Sequence, residues 1–222
     1  MTDDWAAYYA ALKDRPPRAT TIFASRRFAD PGRAVDLGCG GGRDSLPLLA
    51  AGWRVVAIDR EESAIAALEA ATPASLRTNL DARLAPFEDA DWPETDLVIS
   101  AFALPLAPKE RFPALWRRIR DRLTPGGRFA GQFYGIRDSW ARGGAPDGVV
   151  AFSRDECLGQ LSGYALELFE EEEHDGMTPR GKQKHWHIFH IVARKLADGT
   201  PRRGLSARFR HTHAPKSLPN SP

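Results

Sequence analysis

The chain has 222 residues, 42% of them hydrophobic and 27% charged, with a formal net charge of +2. That length suffices for one well-cored domain, and so small a net charge creates no strong field that would draw a nucleic acid or a membrane surface. The two cysteines, Cys39 and Cys157, argue against a disulfide framework and suit a reducing compartment. With no charged-then-apolar leader and no apolar run near the ~20 residues of a membrane helix, a cytoplasmic protein is expected.

Residues 1–30 read as an N-terminal cap. Trp5, Tyr8, Tyr9 and Leu12 recur at helical spacing and stop before Arg15-Pro16-Pro17-Arg18, because paired prolines end helices and stiffen the chain. Such a cap either packs on the edge of the core or covers a pocket.

Strand one is expected over Ala34–Leu37 and runs straight into Gly38-Cys39-Gly40-Gly41-Gly42-Arg43. Glycine tolerates positive φ and close backbone approach, so a ligand can lie against bare main chain at the start of the next helix. The dinucleotide pattern Gly-x-Gly-x-x-Gly fails here, since its third glycine would fall on Arg43 or Ser45. The Gly-Lys-Ser/Thr ending of a phosphate loop is also missing. Asp36 would repel phosphate and suits an ammonium group, which favours a zwitterionic, adenosine-bearing ligand.

A helix over 44–51 ends at Gly52, and strand two, Arg54–Ile58, ends in Asp59, about 20 residues beyond the glycine turn. An acid there can accept from both hydroxyls of a ribose, or merely cap the helix expected over 61–70. Strand three falls within Asn79–Pro86, and strand four is Asp96–Ser100. The stripe Phe112, Leu115, Trp116, Ile119 and Leu123 marks an amphipathic helix over 111–123, stopped by Thr124-Pro125-Gly126-Gly127 before strand five, Arg128–Tyr134. Such alternation implies a parallel sheet with helices on both faces.

The end of the chain departs from that alternation. Ser153–Tyr164 is a helix with Ser153 as N-cap and Glu156 three residues on. Two further strands, Leu166–Glu173 and His185–Ala193, are joined through 175–181, the last returning antiparallel. Alternation puts His185, His187 and Phe189 on one face of that strand and Trp186, Ile188 and His190 on the other. The His-x-His pair lacks a third ligand nearby, so no metal is expected. After Asp198 the chain has five basic residues, interspersed prolines and no acid, and 198–222 read as a disordered basic tail.

Acid-x-Gly-x-Gly-x-Gly after a buried strand, with Asp59 at the end of the next, resembles motif I and its flanks in the class I S-adenosyl-L-methionine (SAM) methyltransferases, over about residues 33–133. Residues 35–59 also resemble small bacterial methyltransferases linked to tellurite resistance. The resemblance implies an α/β fold over 31–197: a doubly wound, Rossmann-like, mostly parallel sheet with one antiparallel closing strand. It implies SAM as cofactor, with Asp36, Gly38, Cys39, Gly40 and Gly42 forming the turn and Asp59 accepting the ribose hydroxyls. Phe87 would cover the adenine, and Glu88 or Asp89 would accept its exocyclic N–H. Arg60 and Ser100, at the carboxyl ends of strands two and four, join that set.

The implied function is methyl transfer to a small-molecule acceptor, with a chalcogen oxyanion as one acceptor class. Strand four ends Ser100-Ala101-Phe102-Ala103-Leu104-Pro105. It lacks the Asn/Asp-Pro-Pro-aromatic turn of enzymes that methylate adenine amines or glutamine amides, which disfavours both. Candidate acceptor-pocket residues are His187, Trp140, Arg137 and Tyr134. If these are packing residues, the cap around Tyr8, Tyr9 and Arg18 is the alternative site. Other readings are a non-catalytic SAM-binding regulator or scaffold, separable by turnover, and RNA methylation aided by the tail, disfavoured by the absence of a basic stripe in the folded part.

Overall fold

The computed structural model describes residues 15–144, 148–178 and 181–197. The helix expected through Trp5–Leu12 and the basic tail lie outside the described residues. In chain order the elements are α1 (Ala19–Ser25), β1 (Arg33–Leu37), α2 (Ser45–Ala50), β2 (Arg54–Asp59), α3 (Glu62–Ala71), β3 (Leu80–Leu84) and β4 (Thr95–Ser100). Then follow α4 (Phe112–Arg122), β5 (Leu123–Gly135), β6 (Ala151–Phe152), α5 (Arg154–Gln160), β7 (Tyr164–Met177) and β8 (Gln183–Lys195).

The strands form one sheet in the order β3-β2-β1-β4-β5-β8-β7, with the short β6 pairing beside β5. Only β8 runs against its neighbours; because it is antiparallel to both β5 and β7, β7 points the same way as the others. The expected mostly parallel sheet with one antiparallel closing strand is therefore the one observed. The chain reverses its direction of winding between β1 and β4, which lie side by side. A crevice opens beyond the carboxyl ends of strands at such a point.

Both faces of the sheet are covered, which is why the central strands read as continuous apolar runs rather than alternating ones. Val35, Leu37, Val56, Ile58, Val98, Phe129 and Phe133 pack on one face with α4 and α5. Ala34, Val55, Ala57, Leu97, Ile99 and Ala130 pack on the other with α1, α2 and α3. The α4 stripe was legible because Phe112, Leu115, Trp116 and Ile119 all turn inward. Trp116 meets Phe129 edge-on, with centroids 5.0 Å apart, and donates from Nε1 to Gln160 O on α5 at 3.1 Å. The Ser153 cap is also as expected: its hydroxyl accepts from Glu156 N–H while the Glu156 carboxylate accepts from Ser153 N–H.

Three boundaries differ from expectation. The segment Thr124–Gly127 does not separate α4 from β5 but is part of β5, which pairs Leu123 with Thr95 and then slips before Arg128 meets Leu97. Gly126 permits this at φ +83°, and a Cβ on Gly127 would stand 2.8 Å from Asp96 O. The β7 strand continues past Glu173 to Met177, since Asp175 still pairs with His185 and Met177 with Gln183. The two-residue β6 was not expected; it is too short to carry a pattern.

Candidate active site

The glycine turn owes its shape to two supports. Gly38 and Cys39 donate N–H bonds to Ile58 O at 2.8 and 3.1 Å, closing β1 onto β2. Gly40 N–H then donates to Asp59 Oδ2 at 2.8 Å. Gly38, Gly40 and Gly42 all have positive φ, at 75°, 53° and 87°, so the alternate glycines are required by the backbone. At Gly38 the requirement is also steric: a Cβ there would sit 2.2 Å from Ala103 Cβ on the β4 turn.

Between this turn and the ends of β2, β3 and β4 lies a cavity of about 920 Å³, near the top of the roughly 300–1,000 Å³ range of small-molecule sites. Asp36, Gly38, Cys39, Gly40, Gly42, Asp59, Arg60, Phe87 and Glu88 all line it. Ser100 does not. Its buried hydroxyl donates to Leu37 O at 3.0 Å and accepts from Leu104 N–H at 2.9 Å, so it pins the turn after β4 instead of facing a ligand. Of the two acids after Phe87, Glu88 lines the cavity, while Asp89 is drawn outward to Arg111.

Acids gather at the floor of this cavity. Asp36 is only 1% exposed and accepts from the Ser45 hydroxyl at 2.7 Å. Burial, with the neighbouring charges of Asp44 and Asp59, pushes its pKa up to about 8. Asp44 accepts from Arg18 N–H at 2.8 Å, and Asp59 accepts from Glu61 N–H at 3.0 Å with its other oxygen. A buried acid between two others calls for a cation, and the bare backbone of the turn leaves room for one. An ammonium-bearing, ribose-containing ligand fits this donor and charge pattern; a phosphate does not.

On the β4 side the wall is aromatic. Phe102 lines the cavity and has φ +61°, the one positive φ outside glycine among the described residues. Left-handed backbone at a bulky residue is strained and is held by its surroundings. The holder is Gln132: its side-chain oxygen accepts Phe102 N–H at 3.2 Å and its amide donates to Thr20 Oγ1 at 3.1 Å. Trp186 and His190 meet the Phe102 ring edge-on, each with centroids 6.3 Å away.

The expected acceptor residues sit behind or beyond that wall. Tyr134 and Trp140 pack against Phe102, Leu106 and Trp186, and neither lines the cavity. Their rings, with Trp186, enclose the Lys184 ammonium, whose nitrogen is 5.0, 4.3 and 4.3 Å from the Tyr134, Trp140 and Trp186 centroids. Lys184 is ion-paired to Asp138, and both side chains are buried. Asp138 also accepts from Trp140 N–H at 2.9 Å and His187 N–H at 3.1 Å.

His187 lies on the opposite face of β8. Its ring fills the space where Gly135 lacks a Cβ, its Nδ1 accepts from Arg137 N–H at 3.2 Å, and its Nε2 meets Glu171 at 2.9 Å. Arg137 is bound by Glu171 and Glu173 at 3.0 and 2.7 Å. His187 on β8 and Arg137 after β5 are thus both bound to β7, and neither lines the cavity. Sequence reading left out Arg43, Asp44, Glu61 and Leu106, which do line it; Asp44 had a signal, being an acid at the start of the helix that follows the glycine turn.

A family model described as "Methyltransferase domain" matches residues 34–127. A probable S-adenosyl-L-methionine-dependent methyltransferase TehB of Haemophilus influenzae is 29% identical over 107 residues, covering 48% of this chain. The match spans only 37% of that relative's length. The crystal structure of TehB from Haemophilus influenzae superimposes with a TM-score of 0.69 at 20% identity, covering 86% of this chain and 67% of that one. A 1,6-didemethyltoxoflavin-N1-methyltransferase of Burkholderia thailandensis, solved with 1,6-didemethyltoxoflavin and S-adenosylhomocysteine bound, gives 0.57 at 18% identity, covering 87% and 82%. The matched methyltransferase domain spans the glycine turn, Asp59 and β4, and the fold around it is that of the solved SAM-dependent methyltransferases.

Proposed function

We propose that this protein transfers the methyl group of SAM to a small, electron-rich acceptor. The observation that carries the reading is the acid-floored, glycine-walled cavity at the ends of β1 and β2. In this reading Asp36 and Asp44 take the methionine ammonium, Asp59 the ribose hydroxyls, and Phe87 and Glu88 the adenine face and its exocyclic N–H. Gly38–Gly42 let the ligand approach the main chain. When bound, SAM would supply a sulfonium methyl group for attack by an acceptor lone pair. The chain's share is positioning and exclusion of water, which contribute much of such a barrier. Phe102, Leu106 and Ala103 supply the apolar wall for this. The resemblance over residues 35–59 favours a chalcogen oxyanion among the acceptors, because its central atom carries the required lone pair without a proton to remove.

The domain reading is one methyltransferase unit over 31–197, with residues 15–30 forming the described part of the cap. Calorimetry should show binding of SAM and S-adenosylhomocysteine but not of NAD or ATP. A screen with selenite, tellurite and small thiols should then release S-adenosylhomocysteine. Binding of NAD without SAM would overturn the reading; SAM binding without turnover on any acceptor would favour a regulator.

A further inference from the structure

We propose that Gln132 is a positioning residue for the acceptor side of this site, holding Phe102 in its strained conformation and joining that wall to the cap; the proposal rests on the SAM-site reading above. Gln132 is a polar residue where the pattern asks for an apolar one. It stands in the run Phe129-Ala130-Gly131-Gln132-Phe133-Tyr134 of β5 and is only 1% exposed. A buried amide is costly unless both of its ends are bonded. Here both are. Phe102 N–H can only donate, so it meets the side-chain oxygen at 3.2 Å, and the NH2 end is left to donate to the buried Thr20 Oγ1 at 3.1 Å.

The sheet register explains why a side chain is needed there. The β4–β5 ladder ends where Ser100 meets Gly131, one residue before Gln132. Beyond that point the Gln132 amide stands in for the missing ladder partner of Phe102 N–H. Directly opposite Gln132 on β8 is His190, so the two side chains share one face of the sheet. His190 meets Glu172 at 2.7 Å and braces the Phe102 ring, while Gln132 holds the Phe102 backbone. One register pair therefore grips Phe102 twice.

Gln132 does not itself line the cavity, but each of its partners belongs to a segment that does. Phe102 lines it together with Ala101, Ala103 and Leu106 of the same turn. Thr20 lies in the first turn of α1, directly after the cap segment whose Arg15, Pro17 and Arg18 line the cavity. One buried amide thus joins two walls from distant parts of the chain. The strain of a bulky residue at φ +61° and the net worth of one hydrogen bond are of the same order. Losing the Gln132 bond is therefore enough to release Phe102 toward ordinary φ, and the wall then loses its fixed shape. Strain held in place at a cavity wall marks a site, and Gln132 is the residue that holds it.

The test is amide hydrogen exchange in the full chain saturated with S-adenosylhomocysteine, read by mass spectrometry over the β4 turn (100–106), α1 and, as reference, β2. Gln132→Met fills the same space without either hydrogen bond. Exchange in the β4 turn and in α1 should rise roughly 3–10-fold, the range set by one lost hydrogen bond, while β2 exchange and S-adenosylhomocysteine affinity stay close to wild type. A β4 turn as protected as in the wild type, or an equal rise in all three segments, would overturn the proposal. Thr20 separates positioning from packing, and it decides if Gln132→Met does not fold. Valine keeps the shape and loses the hydroxyl; serine keeps the hydroxyl and loses a methyl. Thr20→Val should speed exchange in the β4 turn and Thr20→Ser should restore protection, whereas a packing role makes Thr20→Ser the worse of the two. Turnover gives a further readout with whichever of selenite, tellurite and thiophenol the wild type methylates. Gln132→Met should raise the acceptor KM roughly 3–10-fold and leave the SAM KM near wild type; an equal rise in both would overturn the assignment to the acceptor side. Where none is methylated, exchange alone decides. A wild type that does not bind S-adenosylhomocysteine would instead overturn the SAM reading, and the same exchange comparison on the ligand-free protein would still decide on Gln132.

Discussion

Three glycines in the same left-handed region separate conformational strain from steric collision. Gly126, Gly42 and Gly38 have φ of 83°, 87° and 75°. A methyl group on Gly126 would meet nothing within 4 Å; on Gly42 it would come 2.5 Å from the movable Leu68 Cδ1; on Gly38 it would come 2.2 Å from Ala103 Cβ, which is fixed to the main chain. Alanine in the left-handed region costs roughly 1–2 kcal/mol, so Gly126→Ala should lose about that much and no more. Overpacking typically adds about 1–3 kcal/mol, part of which Leu68 can relieve in Gly42→Ala by changing rotamer. Ala103 cannot, so Gly38→Ala should lose roughly 2–5 kcal/mol in all.

Urea titration reads this order directly, and each kcal/mol should also lower Tm by roughly 2–4 °C. Titration with S-adenosylhomocysteine supplies the second axis. Gly126 lies at the start of β5, away from the cavity, so Gly126→Ala should bind the ligand as wild type does. Gly38→Ala must push the turn off β4 and should bind far more weakly. Equal destabilisation by Gly38→Ala and Gly126→Ala would refute the steric account, and unimpaired ligand binding by Gly38→Ala would refute the placement of the site.

Asp59→Asn removes one of the two carboxylate oxygens that hold Gly40 and Glu61 along with the ribose acceptor; SAM affinity should fall by roughly 1–3 kcal/mol, and an unchanged dissociation constant would count against the ribose role. Asp36 should link SAM binding to a proton. Its folded pKa is raised from 3.8 to about 8, so its contribution to ligand-free stability is complete below pH 3.8 and is lost as pH rises toward about 8. A bound ammonium favours the carboxylate, so SAM should bind with proton release below about pH 8 and with affinity rising up to that pH; calorimetry in buffers of different ionisation enthalpy would show no such dependence if the ammonium lies elsewhere. Lys184→Met should leave the Asp138 charge buried without its partner and cost roughly 3–5 kcal/mol, with much of the loss recovered in the Lys184→Met, Asp138→Asn double variant; a single variant as stable as wild type would mean that the pair is not formed.

The sequence was most informative where one physical demand admits few residues. Positive φ at alternate positions after a strand asks for glycine, so the Asp36–Gly42 turn could be placed before the fold was known, and Asp59 at the next strand's end both supports that turn and receives Glu61 N–H at the start of the following helix. Ser100 was misplaced because a hydroxyl can face a ligand or the backbone, and only Leu37 O and Leu104 N decide between them. The β8 strand failed in a different way. Period-two alternation correctly put His187 and Phe189 on one face and Trp186 and His190 on the other, but it is symmetric and does not say which face meets the cavity. The turn at Phe102 supplies that answer, and it places His190 toward the site and His187 toward Glu171.

The difference between the two halves of the site follows from how far apart their parts lie in sequence. Apart from Phe87 and Glu88, the proposed cofactor half is built within one strand–helix–strand unit, from Asp36 to Asp59, and a unit that folds as a piece leaves a motif. The aromatic wall joins Phe102, Gln132, Trp186 and His190 from three separate stretches of chain. No local spacing links them, and the left-handed Phe102 has no residue-type signature at all, because its conformation is imposed by Gln132 across the sheet. This separation also predicts how the site can vary. Variation of the proposed acceptor side would fall on Phe102, Trp186 and His190, whereas Ala103, which leaves no room for a side chain at Gly38, is tied to the glycine turn. A Phe102→Gly variant should therefore relax the strained backbone and keep S-adenosylhomocysteine affinity near wild type while losing discrimination among acceptor anions. If cofactor affinity instead falls along with anion binding, the two halves are one coupled site.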